Sequence, residues 1–385
     1  MQPALRHILV TVFVSVCPAL VLSGCKQELL EPVAVRHNAP EIRGFSYPGY
    51  IDGAFRRGLN NKTLEDLRAQ TSADFVAISF FEFQNYDTSS SIAPNTSGIN
   101  PVTKSGFARS CSIADIETAI RHARQNGMKI MLKPHVDTYS GQWRALIKPD
   151  REGRWFRSYT EMLLKYARLA EKHSVEMLSI GVEYLYATEP QHTQEWRKMI
   201  REVRKVYSGK LTYGANWSGQ PQLGLHVNEF EQVEFWDDLD YIGVDAYFPL
   251  KEMSTNQALP LAIENMQRHN RKLAEMSERF GKKIIFVEAG IQSARGALTQ
   301  PYEYNHGSRF TAIPDEMTQE YYYRAMIETF GRQKWCAGIF WWHWDATPSP
   351  FERTDYTVRN KSTARLVRDW YEGKLLQLQR LKVIE

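Results

Sequence analysis

The chain has 385 residues, of which 43% are hydrophobic and 24% charged, room for one large barrel or two average domains. Its 48 Lys and Arg against 44 Asp and Glu leave a formal net charge of +4 with no long basic run, which argues against nucleic acid as the main partner. Ten Trp, 19 Tyr and 18 Phe stand out, because many lie beside Asn, Asp, Glu or His instead of inside apolar runs.

In chain order, "MQPALRH" is followed by the 15-residue apolar core "ILVTVFVSVCPALVL", interrupted by Pro18. That core is short for a membrane span and suits an export signal. It runs into "LSGC", Leu22 to Cys25, which resembles a bacterial lipobox. Cleavage before Cys25 would make residues 1–24 a lipoprotein signal peptide and Cys25 the lipid-bearing first residue. The competing reading is an ordinary signal or anchor with an incidental Cys. Residues 25–40 then read as a polar tether, and Lys26 is compatible with an outer-membrane address. The expectation is a lipid-anchored protein of the bacterial cell envelope, on the outer membrane or its periplasmic face. Of the remaining thiols, Cys111 and Cys336 fall at opposite ends of the architecture below and are expected to be free.

From residue 41 to 385 the chain reads as one domain. Apolar runs at 41–47, 74–81, 129–136, 176–184, 209–216, 239–248, 283–290 and 336–344 predict strands. Several are apolar throughout, as parallel strands covered on both faces are. Helical stripes lie between them at 112–127, 157–173, 193–207, 256–281, 318–331 and 364–379. Ser112 offers an N-cap, Gly127 a stop, and Pro260 belongs in a first turn. Eight alternating units predict a (β/α)8 barrel; an open doubly wound sheet fits less well, because no Gly-rich phosphate loop follows any strand.

In such barrels the site lies at the C-terminal strand ends. Those ends are polar and aromatic here: Glu82, Lys133 with His135, Glu183, Asn216 with Trp217, Asp245 with Tyr247, Glu288, and Trp342 to Asp345. "MLSIGVEYL" and "KKIIFVEAG" each end an apolar run on a carboxylate, which is costly to bury unless paired or protonated. Glu183 and Glu288 end the fourth and seventh strands, so their side chains can converge across the mouth. Paired carboxyls of this kind serve glycoside hydrolysis, one as acid and the other as nucleophile or base. The long polar loops 84–110 and 291–315, with Trp143 after the third strand, are expected to wall the site.

The stretches "RGFSYPGY", "LKPHVD", "LSIGVEY", "YGANWS", "DYIGVDAYFPL", "FVEAGIQS" and "GIFWWHWD" run in order through the barrel. In them the chain resembles the large retaining clan of (β/α)8 glycoside hydrolases, and most of all family 113, whose described members are β-mannanases. The resemblance implies an acid/base at Glu183 and a nucleophile at Glu288. Val182 stands where many clan members carry Asn, a gap that family 113 shares. The resemblance further implies that Tyr247 hydrogen-bonds the nucleophile and that Trp342 or Trp344 is the sugar platform, since alternation along the last strand turns both the same way. His135, Asn216, Trp217 and Asp245 are candidate sugar contacts, and Lys133 is a candidate partner for a carboxylate; His135 and Lys133 could instead be satisfied rim residues, and Asp245 could instead make a structural hydrogen bond to the next loop.

No His, Asp and Glu cluster has metal-ligand spacing, so no metal or cofactor is expected. The expected activity is endo hydrolysis of β-1,4-mannan or manno-oligosaccharides by a monomer. The same chemistry on another β-glycan is the first alternative, and a non-catalytic sugar-binding lipoprotein the second.

Overall fold

A computed structural model describes residues 30–56, 60–218, 228–250, 258–304, 311–347 and 349–380. The proposed signal, Cys17 and Cys25 lie outside the described residues.

A first strand, β1 (Leu30–Arg36), precedes eight that close in sequence order: β2 (Ile42–Pro48), β3 (Phe75–Gln84), β4 (Lys129–Thr138), β5 (Met177–Val182), β6 (Lys210–Asn216), β7 (Ile242–Asp245), β8 (Ile284–Ala289) and β9 (Cys336–Trp341). All neighbours are parallel, and β2 pairs with β9 to complete the cylinder. Every predicted barrel strand is present, so the expected (β/α)8 architecture holds. The sixth and eighth are shorter than predicted, because their aromatic C-terminal residues leave the ladder to form the mouth.

Alternation builds two layers. Ala77, Met131, Ile285, Val287 and Phe340 fill the bore, while Val76, Ile78, Ile130, Leu132, Ile284 and Phe286 face the helices. Burying each large apolar side chain contributes about 2 kcal/mol relative to leaving it in water. Gly44 leaves room in the bore for the Phe340 ring, from which a Cβ there would stand 2.4 Å.

The helices are α1 (Asn60–Thr71), α2 (Ile113–Gln125), α3 (Glu152–Lys172), α4 (Thr193–Arg204), α5 (Glu229–Gln232), α6 (Ala258–Phe280), α7 (Glu316–Phe330) and α8 (Ser362–Tyr371). Ser112 caps α2 by accepting from the Asp115 amide at 3.3 Å, and Gly127 follows that helix at φ +65°. Pro260 sits in the first turn of α6, where its missing N–H costs nothing. Helix α1 was not predicted, because its sequence NNKTLEDLRAQT is mostly polar. Leu64 and Leu67, one turn apart and fully buried, are what holds it on the barrel.

Two expectations need correction at the ends. The predicted 364–379 helix stops at Tyr371, and after Gly373 (φ +66°) the chain forms β10 (Leu376–Arg380), antiparallel to β1. The LQLQR alternation has the period of a strand, not of a helix. Correspondingly, part of the expected tether is strand β1. His37 fixes it: its amide donates to the Leu375 carbonyl at 2.8 Å, and its Nε2 lies 3.1 Å from Glu328 Oε1 on α7. Cys336 opens β9, and Cys111 follows the loop after β3 at the opposite end; both are free.

Candidate active site

A cleft of about 950 Å³ opens at the C-terminal ends of the strands. Glu183 and Glu288 both line it, each behind an irregularity in the ladder. The β5–β6 register shifts between Ser179 and Val182, and Glu183 then takes φ +56°. A non-glycine residue in the left-handed region costs on the order of 1 kcal/mol, and such costs cluster at functional sites. Around Glu288 the register shifts against both β7 and β9. Val287 faces the bore, so a regular strand would aim Glu288 at the helices; the bulge re-aims it into the mouth.

The two carboxylates have different surroundings. Glu288 Oε1 accepts from Lys133 Nζ at 2.5 Å and its Oε2 from the Tyr247 hydroxyl at 2.7 Å. Glu183 is met more loosely: Trp143 Nε1 and an Arg144 N–H donate to Oε2, and Asn216 Nδ2 to Oε1, each at 3.3 Å. Burial pushes the Glu183 carboxyl above the usual range, and the charge of Glu288 adds to that, although Arg144 pulls the other way. Arg144 is shared with Asp137, to which it donates at 2.8 Å.

His135 lines the same cleft, packed on Phe81 with ring centroids 4.9 Å apart. Its two ring nitrogens have no hydrogen-bond partner, and burial holds it well below the usual histidine range. It is a neutral imidazole with a donor and an acceptor unspent, the equipment to hold a hydroxyl. Trp217, Tyr302, Tyr304, Trp342 and Tyr50 supply aromatic walls. Tyr302 and Tyr304 come from the loop after β8, and Phe107 from the loop after β3, so both long loops shape the cleft.

Seven of the nine predicted site residues on the barrel meet here: Glu183, Glu288, His135, Asn216, Trp217, Tyr247 and Trp342. Two do not. Asp245 is wholly buried beneath the floor, 3.4 Å from Lys133 Nζ, and cannot touch a ligand; burial raises its carboxyl well above the usual range. Trp344 is core: the strand ends at Trp341, so alternation does not carry on to 344. Its ring is fully buried under the Arg359 guanidinium, and its Nε1 donates to the Thr63 carbonyl at 2.9 Å. Glu82 is likewise structural, buried against Tyr166 and Lys165.

Sequence reasoning missed Arg144, Tyr50, Tyr304 and Glu229. The last is fully buried on α5 and accepts from the Tyr213 hydroxyl and from the Asn216 amide at 2.7 Å, which fixes the residue that bonds Glu183. Burial raises its carboxyl to about 8. The clue was available in "NEFEQ", a carboxylate among aromatics, but nothing local distinguishes it from a solvated helix end.

A closed parallel barrel whose aromatic cleft holds two buried carboxylates at the mouth defines the class of (β/α)8 glycoside hydrolases. The model of Glycoside Hydrolase Family 113 matches residues 45–361, and the chain belongs to that family. Two solved structures of GH113 β-1,4-mannanase, one of them a complex, are each 25% identical to it; 86% of this chain superposes on 98% and 99% of theirs, with TM-scores of 0.71 and 0.72. The GH113 β-mannanase AaManA from Alicyclobacillus acidocaldarius in complex with ManMIm, 24% identical, shares the fold over 86% of this chain and 97% of its own, at a TM-score of 0.72. No curated protein sequence matches the chain. The protein is a glycoside hydrolase.

Proposed function

We propose that this enzyme cleaves β-1,4-mannan or manno-oligosaccharides within the chain by double displacement, with Glu288 as nucleophile and Glu183 as acid/base. The observation that carries the assignment is the asymmetry of the two carboxylates. Lys133 and Tyr247 grip Glu288 from both oxygens, which aims it and gives its negative charge a cationic partner. Glu183 is buried with a raised pKa, the condition for a proton donor. The substrate reading rests on the 25% identity to the two β-1,4-mannanases.

In the first step Glu183 gives its proton to the glycosidic oxygen while Glu288 bonds to the anomeric carbon, releasing the leaving-group sugar. Ester formation removes the charge of Glu288, one of the influences raising Glu183, so Glu183 becomes the base for water. Water attacks the anomeric carbon, its proton passes to Glu183, and Glu288 is freed. His135 and Asn216 are placed to hold hydroxyls and Trp342 to stack on the sugar.

The reading further includes export and a lipid at Cys25, on the strength of the lipobox-like "LSGC", and a single chain as the working unit, since both carboxylates and the described aromatic walls come from one chain. Hydrolysis of a panel of β-mannan, β-glucan and aryl β-glycosides tests the function. Preferred release of manno-oligosaccharides from β-mannan supports it; equal or greater rates on another β-glycan would refute the substrate, and no hydrolysis of any would refute the activity.

A further inference from the structure

Asp137 is a further carboxylate of the cleft that the proposed mechanism does not use. It stands on β4, on the face shared with Lys133 and His135, because alternate residues of a strand point the same way. Lys133 lies in the floor against Glu288, and His135 Nε2 stands 3.9 Å from Glu288 Oε1. Asp137 is the next step towards solvent, about 6.6 Å above His135 by strand geometry, with 31% of its side chain exposed. We propose that Asp137, together with Arg144, binds neighbouring hydroxyls of the sugar that leaves in the first step, and so makes a hexose the preferred leaving group. This rests on the acid/base role of Glu183 and on the β-mannan reading above.

Its place in the fold is the first argument. Strand β4 pairs with β5 only at Met131 and Leu132, but stays paired with β3 as far as Thr138. The end of β4 therefore stands above the β5 end as a wall, and Glu183 directly follows β5. Arg144 spans the gap: its Nε donates to Asp137 Oδ1 at 2.8 Å and its Nη1 to Glu183 Oε2 at 3.3 Å. A proton donor meets the oxygen that joins the two sugars. Groups that reach Glu183 from the wall thus stand beside the leaving sugar, whereas Lys133 and Tyr247 hold the nucleophile under the other one.

The second argument is what the ion pair leaves unspent. Among the described residues Arg144 alone bonds the Asp137 side chain, and it engages only Oδ1. Arg144 in turn spends Nε on Asp137 and Nη1 on Glu183. Asp137 Oδ2 and the Arg144 Nη2 group thereby remain without a hydrogen bond among the described residues, an acceptor and a donor kept close together on the cleft wall. They match two neighbouring hydroxyls of a hexose, one donating and the other accepting, and both contacts are charge-assisted. A plain alcohol offers no such pair.

Trp143 supplies the third. It is half-buried in the same wall, and its Nε1 donates to Glu183 Oε2 at 3.3 Å, so an indole ring stands next to the bond that is cut. Polar groups that fix hydroxyls beside an aromatic ring suit a sugar.

The test compares two substrates with the same glycone, both of which need acid assistance. One is β-1,4-mannotetraose carrying an isotope label in its reducing-end unit, and the other is cyclohexyl β-1,4-mannotrioside. The kcat/KM for release of the labelled unit is set against that for release of cyclohexanol. Wild type is expected to prefer the sugar leaving group, and Asp137→Ala to shrink that preference about tenfold or more. Asp137→Asn, closer in shape, should shrink it less and serves if alanine disturbs the fold. Equal losses on both substrates, with the basic limb of the pH profile moved, would mean that Asp137 acts only through Arg144 on Glu183. No loss on either would mean that it touches nothing; both results overturn the proposal. Wild type without a preference for the sugar overturns it as well. Inability of wild type to cleave either substrate would instead remove the β-mannan reading, and this proposal with it.

Discussion

Lys133 Nζ stands 2.5 Å from Glu288 Oε1 and 3.4 Å from Asp245 Oδ1, and neither Lys133 nor Asp245 has any side-chain exposure. A buried cation against Glu288 balances charge that the barrel floor could not otherwise hold and aims that carboxylate at the cleft, with Asp245 beneath it. Removing one member of such a group leaves an uncompensated charge and typically costs about 3–5 kcal/mol. Lys133→Met is therefore expected to lower Tm and to reduce kcat on an activated aryl β-mannoside by about a hundredfold or more. Unchanged kcat and Tm would show that the contact is incidental.

The pH profile should follow Glu183. In the proposed acid/base role its raised carboxyl has to stay protonated for the first step, so activity is expected to fall as pH rises through its pKa. Arg144 lowers that pKa. Arg144→Met is thus expected to move the basic limb of kcat/KM to higher pH, besides weakening binding. In Glu288→Gln the opposite is expected: with the neighbouring charge gone, the Glu183 carboxyl followed by NMR should titrate lower than in wild type. A shift in the wrong direction in either variant would contradict the electrostatic account.

Glu229 predicts how stability depends on pH. Its carboxyl titrates near 8 in the folded chain because of burial, against about 4.3 when unfolded. Between those values the folded state keeps a proton that the unfolded chain has released. Its contribution is therefore fully present below about pH 4 and lost as pH rises towards 8, at up to about 1.4 kcal/mol per pH unit. Glu229→Gln lacks this proton. Urea unfolding at about pH 5 and pH 8 should show wild type losing stability relative to the variant as pH rises. Parallel behaviour would remove the buried proton.

Cys25 is the expected lipid attachment point. Cys25→Ser should leave the precursor unprocessed or release the protein from the membrane fraction, followed by fractionation and intact mass. Normal processing with unchanged membrane association would rule out the lipid.

The barrel was legible because parallel strands buried on both faces announce themselves as apolar runs, and their polar ends then mark the mouth. Glu183, Glu288, His135 and Tyr247 could be read this way, since each ends or follows a strand. Trp344 misled because alternation was extended past Trp341, where the ladder stops. Asp245 misled because a residue at a strand end can point into the bore as readily as into the mouth. Arg144, Tyr304 and Glu229 were hidden for another reason: they reach the site from loops and a short helix, whose course depends on distant hydrogen bonds such as Trp342 to Tyr304. The β1–β10 pair was hidden for the same reason, being joined across nearly the whole chain.

Glu288 is proposed to form the covalent intermediate, and Glu183 to serve it with protons. This is tested most directly by trapping: the enzyme is incubated with 2-deoxy-2-fluoro-β-mannosyl fluoride, which slows breakdown of the intermediate, and digested peptides are sequenced by mass spectrometry. One fluoromannosyl adduct per chain is expected, on Glu288, formed at a comparable rate in Glu183→Ala because the reagent's fluoride leaves without an acid. An adduct on another residue, or turnover with inversion and no adduct, would contradict it.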